Sequence, residues 1–189
     1  MVPYGIGIVI IVIIIMLYMS FKKRIAPMKA ADGNTYRVYY SDTVDNFVLL
    51  TKNINLLIQR LQQMMPSDPR VIKLISKFDP NKFIEKLPSV LDNDTSYVLN
   101  YGEEIHICMR DKDNELHDFN VIMFVTIHEI THLATDIIGV PDPHTPDFWS
   151  TFKVFLKHAV DIGIYIPVDY KKHPYFYCDE LLIDFNPLF

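Results

Sequence analysis

Apolar and polar positions follow different periods along the chain, and each period predicts its own element. In residues 41–65, Val44, Phe47, Leu49, Leu50, Ile54, Leu57, Ile58 and Leu61 return mostly every three or four positions, the spacing of one buried helix face. Ser41 is the candidate N-cap, and Pro66 and Pro69 break the helix. Shorter helical patterns follow at 70–77 and 80–87. Strict alternation marks the strand candidates. Residues 35–40 form one; 96–100 and 104–110 form a hairpin turning at 101–103. In its second strand Glu104, His106, Cys108 and Arg110 alternate with Ile105, Ile107 and Met109, so His106 reads as a surface histidine. A polar turn is expected at 91–95 and a charged loop at 111–115.

Residues 121–138, VIMFVTIHEITHLATDII, are apolar almost all round, which predicts a helix buried in the core. Asp118 suits its N-cap and Gly139 its C-terminal stop. Thr145-Pro146-Asp147 then opens another helix, with a cap, proline at the first helical position and an acid in the first turn. It runs through Phe148, Trp149, Phe152, Phe155 and Leu156 towards Gly163. The tail from Tyr165 is aromatic and proline-rich, and the chain contains no internal repeat.

Residues 1–21 carry no charge and are rich in isoleucine and valine. Roughly 20 apolar residues span a bilayer as a helix, so this stretch is expected to be a transmembrane anchor contacting lipid. No basic residue precedes the run and no small-x-small site follows it, which disfavours a cleaved leader. Lys22, Lys23 and Arg24 come next, and the positive-inside bias puts the following domain in the cytosol as part of a single-pass protein. Residues 22–34 read as a basic juxtamembrane linker, leaving 35–189 as one domain.

The 189 residues are 50% hydrophobic with net charge −5. Setting aside Lys22, Lys23, Arg24, Lys29 and Asp32 leaves 14 of 18 basic and 22 of 23 acidic side chains in 36–189, a net −8. A domain this acidic lacks the electrostatic footprint of nucleic-acid binding. Its two cysteines, Cys108 and Cys178, form no CxxC pair and read as reduced core thiols.

The chemistry lies in the apolar helix, whose middle is interrupted by His128, Glu129 and His132. Histidines four apart lie one turn apart on one face, so both imidazoles reach a single metal ion. Glu129 lies beside them, placed to act on a metal-bound water. This is the H-E-x-x-H pattern of zinc peptidases. A third ligand is needed. Position 138 holds isoleucine, not the histidine of the metzincin spacing. His144 is favoured, with Asp142 and Asp147 as alternatives.

His128-Glu-Ile-Thr-His132, then His144-Thr-Pro-Asp-Phe-Trp149, then a Phe/Leu-rich helix, resembles the WLM and SprT-like metallopeptidases, above all the versions encoded by large DNA viruses. The resemblance spans about two thirds of the chain and includes His173-Pro174 and Tyr177-Cys178 in the tail. It implies an α+β zincin-like domain: a small antiparallel or mixed sheet, an active-site helix and backing helices. It implies Glu129 as general base, His128, His132 and His144 as zinc ligands, and Phe148 and Trp149 as packing around His144. Some relatives cut proteins crosslinked to DNA. This chain lacks their zinc ribbon and ubiquitin-like partner regions, and its domain is acidic, so a DNA-repair role is not carried over.

The expected function is a membrane-anchored zinc peptidase acting on a protein or peptide. Tyr170 or His173 is the candidate oxyanion stabiliser, and strand 104–110 the candidate edge for an extended substrate. The alternative is a virion structural protein, a minor capsid component linking capsid proteins to an inner membrane on a zincin scaffold. A secreted peptidase with a cleaved leader would instead begin near residue 25.

Overall fold

Two strands near the start of the domain set the direction of its central sheet. β1 (Ala26–Lys29) and β2 (Thr35–Val38) are antiparallel, joined through the positive-φ turn at Gly33. The chain then crosses over through α1 (Thr43–Met64) and α2 (Pro69–Lys77) to β3 (Phe83–Lys86), which lies parallel to β2. β4 (Tyr97–Leu99) and β5 (Glu104–Cys108) form a hairpin, and β5 pairs parallel with β3. The sheet order is β1-β2-β3-β5-β4. After β5 come α3 (Phe119–Thr135), α4 (Pro146–Asp161) and a separate hairpin of β6 (Tyr175–Tyr177) and β7 (Leu181–Ile183). The computed structural model describes residues 11, 24–88, 95–135, 143–179 and 181–189.

Pattern and packing agree over most of the long helices, but Leu49, expected on the buried face of α1, is exposed. The α1 residues Phe47, Leu50, Ile54, Leu57 and Leu61 share one core with Tyr36, Val38, Phe83, Ile105 and Ile107 of the sheet. Arg37, Glu104 and His106 alternate onto the other face. There Glu104 accepts from Arg37 at 2.7 Å and pairs with His106 at 2.8 Å, while His106 stacks on Tyr97.

Four expectations need correction. The spanning helix over 1–21 comes first: no helix among the described residues is long and apolar enough to cross a membrane. Apart from Ile11, that stretch lies outside the described residues. The described fold is mixed α/β, with two parallel strand pairs and a helical crossover, instead of α+β with a transmembrane helix. The single-pass, cytosol-facing placement is withdrawn with it. Second, the expected linker supplies β1, so the sheet begins inside 22–34. Third, 80–87 is a short 3-10 turn, Pro80–Lys82, followed by β3. All four β3 residues are buried, as in a central strand covered on both faces, and such a run shows no alternation. Its Glu85 is satisfied by the Tyr39 N–H, the Thr43 hydroxyl and Arg110.

Fourth, Cys108 and Cys178 form a disulfide with their Cα atoms 6.0 Å apart. It ties the end of β5 to the turn after β6. Tyr177, beside it, donates its hydroxyl to the Cys108 carbonyl at 2.6 Å and meets the Ser96 hydroxyl at 2.8 Å. Ser96 Oγ in turn accepts from the Cys108 N–H at 3.0 Å. This closed circuit completes the backbone bonding where β4 and β5 part. His117 accepts from the Cys178 N–H at 3.0 Å, and burial holds its imidazole below the usual histidine range.

Candidate metal centre

The centre is built on α3. Asp118 caps the helix, its carboxylate accepting from the Asn120 N–H at 2.8 Å. Thr126, Thr131 and Thr135 return their hydroxyls to the carbonyls four residues back, which satisfies them inside an apolar environment. Apolar side chains fill nearly every other position, because α3 packs between the sheet, α2 and α4. The expected helix end at 136–138, Gly139 and the alternative ligand Asp142 lie outside the described residues.

His128 and His132 project from one side of α3, their ring centroids 5.0 Å apart. His144 approaches from the start of α4. There Thr145 accepts from the Phe148 N–H at 3.3 Å and Pro146 takes the first helical position, which fixes the chain direction just after His144. Phe148 lies against all three imidazoles, its ring 4.4–4.8 Å from each. Trp149 packs on His144 at 5.6 Å. One ring nitrogen from each of His128, His132 and His144 lies within 4.8 Å of the others, so the group can hold a metal ion.

The three imidazoles stand near the spacing of a tetrahedral ion, and with their nitrogens within 4.8 Å of one another they must draw in to reach it. His128 Nε2 and His144 Nε2 are 2.9 Å apart. Two nitrogens on one zinc, at bonds of about 2.0–2.1 Å, sit roughly 3.3 Å apart. Little opening of the pair is needed. The buried Nδ1 of His132 has no hydrogen-bond partner among the described residues. Burial drives His128 and His132 towards neutrality. It lowers His132 to about 4 and His128 well below the ordinary value, with the neighbouring imidazoles adding to the effect. Neutral imidazole is the form that ligates. Glu129 is buried beside them, and burial alone raises it to about 8.

A cavity of about 390 Å³ opens onto this group. Glu129, His128, His144, Trp149, Thr95 and Ser96 line one side, and residues 181–185 of the C-terminal hairpin and its exit form another. The expected oxyanion residues stand elsewhere. Tyr170 is buried against Phe124, ring centroids 5.0 Å apart, and His173 is exposed; neither lines the cavity. Asp147 is exposed in the first turn of α4. β5 is flanked by β3 and β4, so it offers no edge. Tyr177, a polar member of the tail expected to approach the site, is fully buried and does not line the cavity; desolvation first and the nearby Glu129 charge next raise its hydroxyl pKa, against the Ser96 hydrogen bond. No sequence period singled out residues 181–185, since three-residue strands are too short to show one.

No family model matches the chain, and no solved structure matches it. Its relatives are viral. It is 37% identical over 91 residues to uncharacterized protein R325 of Acanthamoeba polyphaga mimivirus, covering 48% of this chain and 44% of the relative. It is 31% identical over 114 residues to uncharacterized protein 136R of Invertebrate iridescent virus 6, covering 57% and 61%. Against uncharacterized protein 042R of Invertebrate iridescent virus 3 the values are 34% over 79 residues, covering 41% and 46%. The chain spans about half the length of these relatives, and none of their names states an activity. The resemblance to WLM and SprT-like peptidases therefore rests on the motifs alone, and what the comparisons add is kinship with viral proteins.

Proposed function

We propose that the chain is a zinc-dependent peptidase whose reaction takes place where the three imidazoles and Glu129 meet the cavity. The observation that carries this reading is the buried Glu129 carboxyl lining the cavity beside a convergent three-histidine group. Three neutral nitrogens and one open side are the protein's share of a catalytic zinc site, whereas structural sites close all four positions.

His128, His132 and His144 would hold the ion, which when bound supplies a Lewis acid that polarises a carbonyl and acidifies water. Glu129 accepts a proton from the attacking water and delivers it to the leaving amine. Without a nearby cation its carboxyl is protonated at neutral pH, because burial raises it to about 8. A divalent charge beside it favours the ionised form that a base requires. Phe148 holds the three imidazoles at their mutual spacing. The edge strand beside the centre is β4, with Thr95 and Ser96 at its entry, so an extended substrate has an edge there in place of the one expected on β5.

The test is hydrolysis of denatured protein by the zinc-loaded full-length chain. Cleavage should stop with a chelator and return with zinc. Glu129→Gln keeps the shape of the side chain and removes the base. It should leave zinc content unchanged and lower the rate by at least about 100-fold, the low end for losing general acid–base catalysis. A parent chain that holds zinc and cuts nothing across varied substrates contradicts the reading and favours the scaffold alternative.

A further inference from the structure

The cavity next to the three histidines has a composition that selects among peptides. Beyond its chemical groups, its wall is formed by Phe124, Val125 and Phe152 from the helices and by Leu181, Ile183 and Phe185 from the hairpin and its exit. Among the described residues no lysine or arginine lines it, although the Lys171 ammonium stands 5.6 Å from the Phe185 ring at its mouth; the carboxyl groups in the wall are those of Glu129 and Asp184. Leu181 and Phe185 are 42% and 40% exposed, so the mouth presents apolar surface that an occupant would remove from water. The volume, about 390 Å³, lies near the bottom of the range for ligand sites, roughly 300–1,000 Å³. That accommodates one or two large side chains.

We infer that this cavity is the specificity pocket for a large apolar side chain, leucine, methionine or phenylalanine, of an extended polypeptide held at the three-histidine centre. The inference rests on the peptidase reading above and names its substrate class. Acidic side chains find no lysine or arginine among the described lining residues, and Asp184 in the wall disfavours them. Glycine and alanine leave the apolar wall wet or empty. The wall has two sources, and the hairpin half is held by the Cys108–Cys178 disulfide and the Tyr177 circuit. Specificity therefore resides partly in a segment that contributes no metal ligand.

The test compares leucine hydroxamate with glycine hydroxamate. Both carry the same metal-binding group and differ in the side chain. Their affinities for the zinc-loaded full-length protein are measured by titration calorimetry, which needs no turnover. Leucine hydroxamate should bind at least about tenfold more tightly, as expected for a few carbons in an apolar pocket. Val125→Phe, which fills the cavity, should erase most of that difference. Phe185→Ala, at the exposed mouth, should reduce it with little risk to folding. Equal affinities for the parent overturn the inference and leave the metal centre standing. A preference unaffected by both variants also overturns it. Should the preference hold while no peptide is hydrolysed, the peptidase reading fails and the pocket remains.

Discussion

The two walls of the cavity are held in different ways. α3 is fixed by burial: apolar side chains on almost every side, threonines bonded back to their own helix, and an aspartate cap. The β6–β7 hairpin has three-residue strands, and its register partners Phe176 and Leu182 are 68% and 43% exposed. Its turn places Cys178 and Asp179 at φ +55° and +61°, a region that non-glycine residues seldom occupy. What secures it is a disulfide, a hydroxyl circuit and the Asp179 carboxylate accepting from the Lys112 N–H. The chemical groups thus stand on the part held by the core, and much of the proposed specificity wall stands on the part held by a few specific bonds.

Removing the disulfide should separate the two walls most strongly. It closes a loop spanning 70 positions, and a bridge of that span contributes about 4 kcal/mol in the chain-entropy description. The double variant Cys108→Ser, Cys178→Ser should lose about that much stability in denaturant unfolding. In native-state hydrogen exchange, amides of 175–183 should open while those of α3 keep their ranking as the slowest. Equal acceleration in both walls would mean that the hairpin is part of the same cooperative unit as the helix.

A smaller effect separates them by pH, measured on chelator-treated protein. Glu129 is raised to about 8, so its contribution to stability is full below its unfolded pKa near 4.5 and is lost as pH rises through 8. His132 is lowered to about 4, so its contribution is present above its unfolded value near 6.5 and is lost as pH falls towards 4. His128 acts in the same direction as His132. Stability should therefore peak near pH 6.5 and fall towards pH 8. Glu129→Gln should remove the fall between 6.5 and 8, and hairpin variants should leave it intact. A descending limb that survives Glu129→Gln assigns it to another group.

The contrast between the walls also explains what the sequence revealed. α1, α3 and α4 were legible because their apolar positions persist over four or more turns; the caps expected at Asp118 and Thr145 open α3 and α4, whereas α1 starts after Asp42 with no side-chain cap, not at the expected Ser41. His128 and His132 were legible because a fixed helical offset brings them together. His144 needed only the short connection to the Thr145 cap. β3 was misread as helix because four consecutive buried residues show no period. The disulfide was missed because two cysteines far apart carry no pairing signal. Tyr170 and His173 were chosen for their chemistry within the tail, but the tail residues lining the cavity are 181–185, brought there by a turn with no glycine or proline. The uncharged run at 1–21 carried a membrane assignment by composition alone, and no helix among the described residues answers to it.

The central claim is that His128, His132 and His144 hold one metal ion beside Glu129. X-ray absorption at the zinc edge, with metal content determined on the same full-length sample, tests it most directly. The account predicts one zinc per chain, with three imidazole nitrogens at about 2.0–2.1 Å and one further light-atom ligand. Loss of one nitrogen shell and weakened retention should follow His144→Ala, with no change for Asp147→Ala. Absence of stoichiometric zinc from the parent, or an unchanged nitrogen shell in His144→Ala, would contradict the account.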